Sequence, residues 1–254
     1  MVAKKVLVLK APGTNCDFEM KQALAQAGAK CELRFFFEIE EKPELLWDYS
    51  MLVIPGGFSY GDYLGSGKIW ALFLETALGR ELRKFVASGR FVLGVCNGFQ
   101  VLVKLGLLPG WFEDGTQQVS LASNTSGQFT CRWVNLNFEQ KSVFFKRLMT
   151  HDSRLTTSLE LPIAHGEGRF VTLNNATRKR LWKENLVFLR YKGDNPNGSE
   201  DAIAGITNPQ GNVVGLMPHP ERFVNRWQHY NWQANEKMVP WGLEFFRALI
   251  RCLN

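Results

Sequence analysis

The sequence predicts an α/β protein built on a single open, mostly parallel sheet flanked by helices, with an additional antiparallel portion toward the carboxyl end. Three observations carry that expectation. Continuous apolar runs such as Met51–Ile54 and Phe91–Val95 read as strands buried on both faces. These runs alternate with helical patterns, as strand–helix–strand units require. Beyond about residue 119 the strands become amphipathic or hairpin-linked, the mark of antiparallel pairing.

Taken in order, residues 6–9 form a first strand, followed by the loop Ala11-Pro12-Gly13-Thr14 and a helix to about Ala27. Asn15 is the expected cap of that helix, with Asp17 and Glu19 in its first turn and Gly28 at its stop. Strands follow at 31–37 and 51–54, then a helix over about 68–88 with an interruption at Gly79. A fully apolar strand at 91–95 runs at once into a helix over 98–105. Further strands are expected at 119–138, 159–164, 186–191 and 202–216, the last broken by the turn Asn208-Pro209-Gln210-Gly211. A closing helix over 240–252 places Trp241, Phe245, Leu249 and Leu253 at helical spacing. No repeat and no Pro/Gly/Ser-rich linker divides the chain, so residues 1–254 are read as one domain.

At 254 residues, 45% apolar and 21% charged, the chain buries a large core without a disulfide or metal staple. Fibres, small disulfide scaffolds and membrane channels are excluded by that composition. Thirty basic and 24 acidic side chains leave a net charge of +6. The basic residues are scattered rather than blocked, so no nucleic-acid partner is expected. Neither a leader peptide nor a membrane-spanning run is visible, and the five cysteines form no C-x-x-C pair. Reduced thiols in the cytoplasm are the expectation, without a metal site and without a nucleotide-binding glycine loop.

The chemistry begins at Gly94-Val95-Cys96-Asn97-Gly98, on the strand-to-helix boundary. This G-x-C-x-G is the thiol counterpart of a nucleophile elbow: a sharp turn lifts the side chain at the carboxyl end of the sheet, and flanking glycines let strand and helix backbones pass closely. The free N–H groups and positive end of the next helix face the sulfur and favour its thiolate. A buried structural cysteine between packing glycines is the alternative.

A base decides between them. Of the histidines 151, 165, 219 and 229, His219 lies in Met217-Pro218-His219-Pro220-Glu221 with a carboxylate at i+2. In extended backbone both side chains leave one face, so Glu221 fixes the imidazole tautomer and leaves the other nitrogen for the Cys96 proton. The same segment could simply start a helix. His165, in Ala164-His165-Gly166-Glu167-Gly168, is a rival base with Glu167 at i+2. An oxyanion needs N–H donors. Asn97 supplies one directly after the nucleophile, and the loop after strand 51–54, Pro55-Gly56-Gly57-Phe58-Ser59, offers a second from Gly57.

With PGGFSYGD, GVCNGFQ, PIAHGEG, NPNGS and MPHPER in this order, the chain resembles the class I (triad) glutamine amidotransferases, whose fold is flavodoxin-like. More narrowly it is similar to the glutaminase components of phosphoribosylformylglycinamidine synthases, from Ala11–Asp17 through the whole chain. The resemblance implies that Cys96 forms a γ-glutamyl thioester, with His219 and Glu221 completing the triad, and that Gly57 and Asn97 give the oxyanion hole. It implies Gln100 as a glutamine contact, with Gly56, Phe58, Ser59, Asn124 and Ser126 near the substrate. His165 and Glu167 are expected on a loop facing the partner or the ammonia exit. The implied partners are an ATP-binding synthase subunit and a small bridging subunit; ATP and Mg²⁺ belong to the synthase, and no cofactor to this chain. Two stretches, 63–70 and 222–241, look closer to the glutaminase portion of the long fused synthases, which bears on subunit arrangement rather than chemistry. A stand-alone amidase, an amidotransferase subunit of another synthase, and a non-catalytic regulator with a decayed site are the competing readings.

Overall fold

The computed structural model describes residues 4–151 and 158–253. A nine-stranded sheet runs in the order β2-β1-β3-β4-β11-β10-β9-β6-β7. Its parallel half comprises β2 (Lys30–Phe35), β1 (Lys5–Lys10), β3 (Met51–Ile54), β4 (Phe91–Val95) and β11 (Val213–Leu216). The remainder, β10 (Ile203–Thr207), β9 (Val187–Tyr191), β6 (Thr130–Phe138) and β7 (Ser158–His165), pairs antiparallel throughout. A separate antiparallel pair joins β5 (Val119–Ala122) to β8 (Arg169–Thr172). The central parallel strands β3, β4 and β11 are fully buried because helices cover both faces, which is why β3 and β4 are legible as unbroken apolar runs.

Helices α1 (Asp17–Gln26), α3 (Lys68–Ala87), α4 (Asn97–Lys104) and α7 (Trp241–Arg251) fall close to the predicted spans. The details differ at several places. Cys16, not Asn15, is the N-cap of α1, and the Asn15 amide oxygen instead accepts the Cys16 thiol at 3.3 Å. The strand expected at 31–37 ends at Phe35, because Glu38 reaches back to the Phe35 N–H at 2.8 Å and starts a short helix, α2 (Phe36–Glu41). α3 runs through Gly79 uninterrupted, with Glu75 and Arg83 pairing across it at 2.9 Å. The span 119–138 is two strands in different sheets, divided by a loop that Asn124 pins: its amide donates to the carbonyls of Gln128 and His165, both at 2.9 Å. Strand β8 and the helices α5 (Val143–His151) and α6 (Asn175–Lys183) are absent from the sequence reading.

Edge strand β7 is far from β11 in the sheet order, yet the His219 N–H donates to Pro162 O at 2.8 Å. The antiparallel half therefore curls back over the carboxyl edge of the parallel half. That curl closes the functional site.

Candidate active site

Strand pairing alone brings residue 96 to residue 219. Val95 of β4 is registered against Leu216 of β11, and the Cys96 N–H donates to Leu216 O at 2.8 Å. Both strands run in the same direction, so both chains leave the sheet at one edge, where open α/β folds place ligands.

Cys96 sits at φ +52°, ψ −105°, a conformation side-chain-bearing residues rarely adopt. The surroundings impose it. A Cβ on Gly94 would lie 2.5 Å from Gly98 O, and one on Gly98 would lie 1.8 Å from Ile54 O. Both glycines are therefore demanded by the close crossing of β3, β4 and α4, as the elbow motif predicts. Helix α4 starts at Asn97, directly after Cys96, so its first N–H groups have no intrahelical acceptor.

The His219 Nδ1 lies 2.6 Å from Glu221 Oε1, with 2% and 0% of the two side chains exposed. The backbone between them differs from the extended form expected: Pro220–Arg222 is a 3₁₀ turn with Pro220 presetting its first φ. The turn still carries the carboxylate to the ring. Gly242 at the start of α7 supports it, since a Cβ there would meet Pro220 O at 1.8 Å. Burial works against a charged His219 ring; the Glu221 carboxylate and then Cys96 outweigh it and hold the imidazole's proton affinity well above the usual histidine range.

Cys96 and His219 converge on Gly56. A Cβ on this glycine would lie 2.9 Å from His219 Cε1, 3.4 Å from Cys96 Cβ and 3.1 Å from Cys16 Sγ. The Cys96 thiol points to Ala164 O at 3.6 Å, while His219 Nε2 and Glu221 Oε2 are buried with no hydrogen-bond partner among the described residues. Cys96, His219 and Glu221 thus lie together, with the second imidazole nitrogen unpartnered among the described residues.

His165 is not a second base of this kind. Its Nδ1 lies 3.2 Å from Asn124 Oδ1, and the Asn124 nitrogen is already turned to two carbonyls, so the ring carries its proton on Nδ1. Burial, then the charge of His219, lowers its pKa to about 4. Glu167 faces elsewhere, its carboxylate accepting the Ser66 N–H at 3.2 Å. His229 lies outside the centre, bound to Glu160 at 3.0 Å, and the side chain of His151 falls outside the described residues.

Gly57 holds φ +140° in an isolated bridge with Thr14, and a Cβ there would come within 2.7 Å of Asn15 N. In that bridge the Phe58 N–H donates to Gly13 O at 3.0 Å. Asn97 ties the neighbouring groups together: its Oδ1 accepts the Ser59 hydroxyl at 2.6 Å, and its Nδ2 donates to Gln100 Oε1 at 3.0 Å. Gln100 Nε2 in turn donates to Glu167 O at 2.6 Å. Ser59, Asn97, Gln100 and Glu167 therefore form one network behind Cys96. Asn124 is buried and fully engaged in holding the loops, whereas Ser126 is exposed and accepts the Gln128 N–H at 3.2 Å. Half-exposed Phe58 stands at the rim with Phe129, ring centroids 6.2 Å apart.

Two groups carry no role in the sequence reading. The Asn195–Ser199 segment locks the rim, with Asn197 donating to Gly168 O at 2.8 Å and accepting the Ser199 hydroxyl at 2.7 Å. Cys16 is buried against the His219 ring, and the Arg222 guanidinium donates to its sulfur at 3.1 Å. Asn15-Cys16-Asp17 is a visible motif, but nothing in its spacing relates it to residue 219.

Residues 3–251 match a family described as the CobB/CobQ-like glutamine amidotransferase domain. Among curated proteins, the chain is 43% identical to the phosphoribosylformylglycinamidine synthase subunit PurQ of Treponema denticola, over 87% of this chain and 88% of that one. It is 41% identical to the subunit of the same name from Thermus thermophilus, over 96% of each. The chain belongs to the PurQ family of glutamine amidotransferases. Among solved structures, the PurLQS structure from Thermotoga maritima holds a chain similar to this PurQ-family member at a TM-score of 0.73 and 31% identity, covering 98% of both. No helix among the described residues of this PurQ-family chain is long and apolar enough to cross a membrane.

Proposed function

We propose that this chain is the glutaminase subunit of a phosphoribosylformylglycinamidine synthase, acting as one domain. It hydrolyses glutamine to glutamate and ammonia, and an ATP-dependent synthase subunit uses that ammonia to convert formylglycinamide ribonucleotide to formylglycinamidine ribonucleotide in purine biosynthesis. The observation that carries the reading is the convergence of Cys96, His219 and Glu221 at the carboxyl edge of β4 and β11, in a chain 43% identical to a PurQ subunit.

In this account His219, oriented by Glu221, takes the proton of Cys96, and the thiolate attacks the glutamine side-chain carbonyl. The Gly57 and Asn97 N–H groups receive the oxyanion. The imidazolium then gives its proton to the departing nitrogen, so ammonia leaves and a γ-glutamyl thioester remains. Water, deprotonated by His219, hydrolyses the thioester and restores the thiol. Gln100, Gly56, Phe58 and Ser59 border the glutamine, Ser126 sits at the mouth, Asn124 sets the loops, and His165 and Glu167 face the ammonia exit and the partner.

The partners are a synthase subunit and a small bridging subunit, in keeping with the PurLQS assembly named for a similar structure. ATP and Mg²⁺ are held by the synthase. The curated relatives are themselves named as subunits, which favours a separate chain over a fused one despite the fused-like stretches 63–70 and 222–241. Five free cysteines suit a reducing cytoplasm. An enzyme idle until docked fits better than a stand-alone amidase, because Cys96 is turned to Ala164 O and His219 Nε2 is uncommitted.

A glutamine-analogue electrophile tests the reading. It is expected to label Cys96 alone, faster when the synthase subunits are present and not at all in His219→Asn. Labelling at another cysteine, or equal rates in wild type and His219→Asn, would overturn it.

A further inference from the structure

The loop between β3 and α3 carries two apolar side chains in solvent at its tip: Tyr63 is 87% and Leu64 67% exposed. The same loop is rooted in the protein at Ser59, Ser66 and Gly67, all buried. Its interior is braced, with the Gly65 N–H donating to Asp62 O at 3.0 Å and the Gly67 N–H to Asp62 Oδ1 at 3.1 Å. The bracing holds Tyr60 at φ +53°, rare for a bulky side chain. A loop tied in this way shifts as one piece rather than flexing at its tip.

Two hydrogen-bonded arms run from this loop to one buried side chain. In the first, the Ser66 N–H donates to Glu167 Oε2 at 3.2 Å, and the carbonyl of Glu167 accepts Gln100 Nε2 at 2.6 Å. In the second, Asp62 Oδ1 accepts Asn97 Nδ2 at 3.3 Å, and the same nitrogen donates to Gln100 Oε1 at 3.0 Å. Both ends of the Gln100 amide are therefore held by groups that the loop itself holds. One N–H and one oxygen lone pair remain for a ligand, and the positions of Glu167 and Asn97 decide where they point.

We propose that the synthase subunit docks on Tyr63 and Leu64, and that the loop, shifted as a unit, aims Gln100 at glutamine through Ser66 and Glu167. Glu167 is then a positioning residue: it acts through Gln100 and links partner docking to substrate binding. The loop springs from Ser59, which borders the glutamine, so a subunit collecting ammonia at this edge meets the tip. The apolar surface also continues from the loop onto α3, where Tyr60 and half-exposed Phe73 have ring centroids 5.1 Å apart. This inference rests on the glutaminase reading above and adds the route by which the partner switches that activity on.

Glutamate release from glutamine is measured for the full chain alone and with saturating synthase and bridging subunits; the ratio of the two kcat/KM values is the activation. Tyr63→Ser/Leu64→Ser is expected to reduce activation at least about fivefold, chiefly through a higher KM for glutamine. The isolated chain's own rate and ammonia-driven turnover of the complex should not change. Glu167→Ala should also reduce activation, and Glu167→Gln, whose amide oxygen still accepts the Ser66 N–H, should restore most of it. All three substitutions (Tyr63→Ser, Leu64→Ser and Glu167→Ala) together should lose no more activation than the pair at the tip, because they interrupt one route. Undiminished activation in Tyr63→Ser/Leu64→Ser, a Glu167→Gln variant as impaired as Glu167→Ala, or losses that multiply would each overturn the coupling. A wild-type complex that releases no glutamate would overturn the glutaminase reading itself, an outcome distinct from all three.

Discussion

At the scale of single residues, the proposed mechanism depends on a carboxylate that acts through His219. Glu221 is buried at 2.6 Å from His219 Nδ1, where it fixes the tautomer and stabilises the charged ring. Glu221→Gln keeps the volume and removes the charge. Its expected effect on glutamine-dependent turnover of the synthase complex is a loss of about 10²–10⁴-fold, with ammonia-driven turnover unchanged. A loss under about threefold would take the orienting role away from Glu221. Cys96, His219 and Glu221 are legible in the sequence because each belongs to a local pattern, G-x-C-x-G or His-Pro-Glu. Cys16 is not legible, because the Thr14–Gly57 bridge and the turn at Pro220 set its place against His219.

Elements position those residues through close backbone crossings, and Gly242 shows which effect prevails. In an ordinary helix interior Gly→Ala gains about 1 kcal/mol of propensity. Here the added Cβ would meet Pro220 O at 1.8 Å, so α7 or the Glu221 turn must move. Such overpacking costs about 1–3 kcal/mol. Gly242→Ala is therefore expected to lower the denaturation midpoint and reduce glutaminase activity together; a more stable, fully active variant would contradict the packing account. Asn174 provides a cleaner test, since its side chain accepts the Thr177 N–H at 2.9 Å and caps α6 far from the site. Asn174→Ala should cost about 1 kcal/mol in urea unfolding and leave activity unchanged.

Elements were readable in proportion to their burial. β3 and β4 match the apolar runs residue for residue, because both faces are covered. β8 and α6 were not readable: β8 is a short strand in a two-stranded sheet, and α6 is dominated by polar side chains with a single fully buried leucine. The division of 119–138 was also hidden, since it depends on Asn124 contacting residues 128 and 165 rather than on local propensity.

For the whole molecule, the curl that returns β7 over Cys96 places a buried His165 near His219, whose charge when protonated opposes a proton on His165. Its pKa is lowered from 6.5 to about 4, so the folded chain resists a proton that the unfolded chain accepts. The sign follows: this contribution is complete above pH 6.5 and is lost as pH falls toward 4, by at most about 3 kcal/mol. Unfolding free energies measured from pH 7 to pH 4 should fall less steeply for His165→Gln than for wild type, although the variant starts lower. Parallel slopes would mean that His165 is not held neutral.

The whole account turns on ammonia being made by one thiol and consumed elsewhere. The measurement that tests this most directly compares Cys96→Ala with wild type in the complex with its synthase subunits, supplied with either glutamine or ammonium salt. The prediction is a loss of at least about 10³-fold with glutamine and unchanged turnover with ammonia. Equal loss with both nitrogen sources would make Cys96 a structural residue and contradict the mechanism.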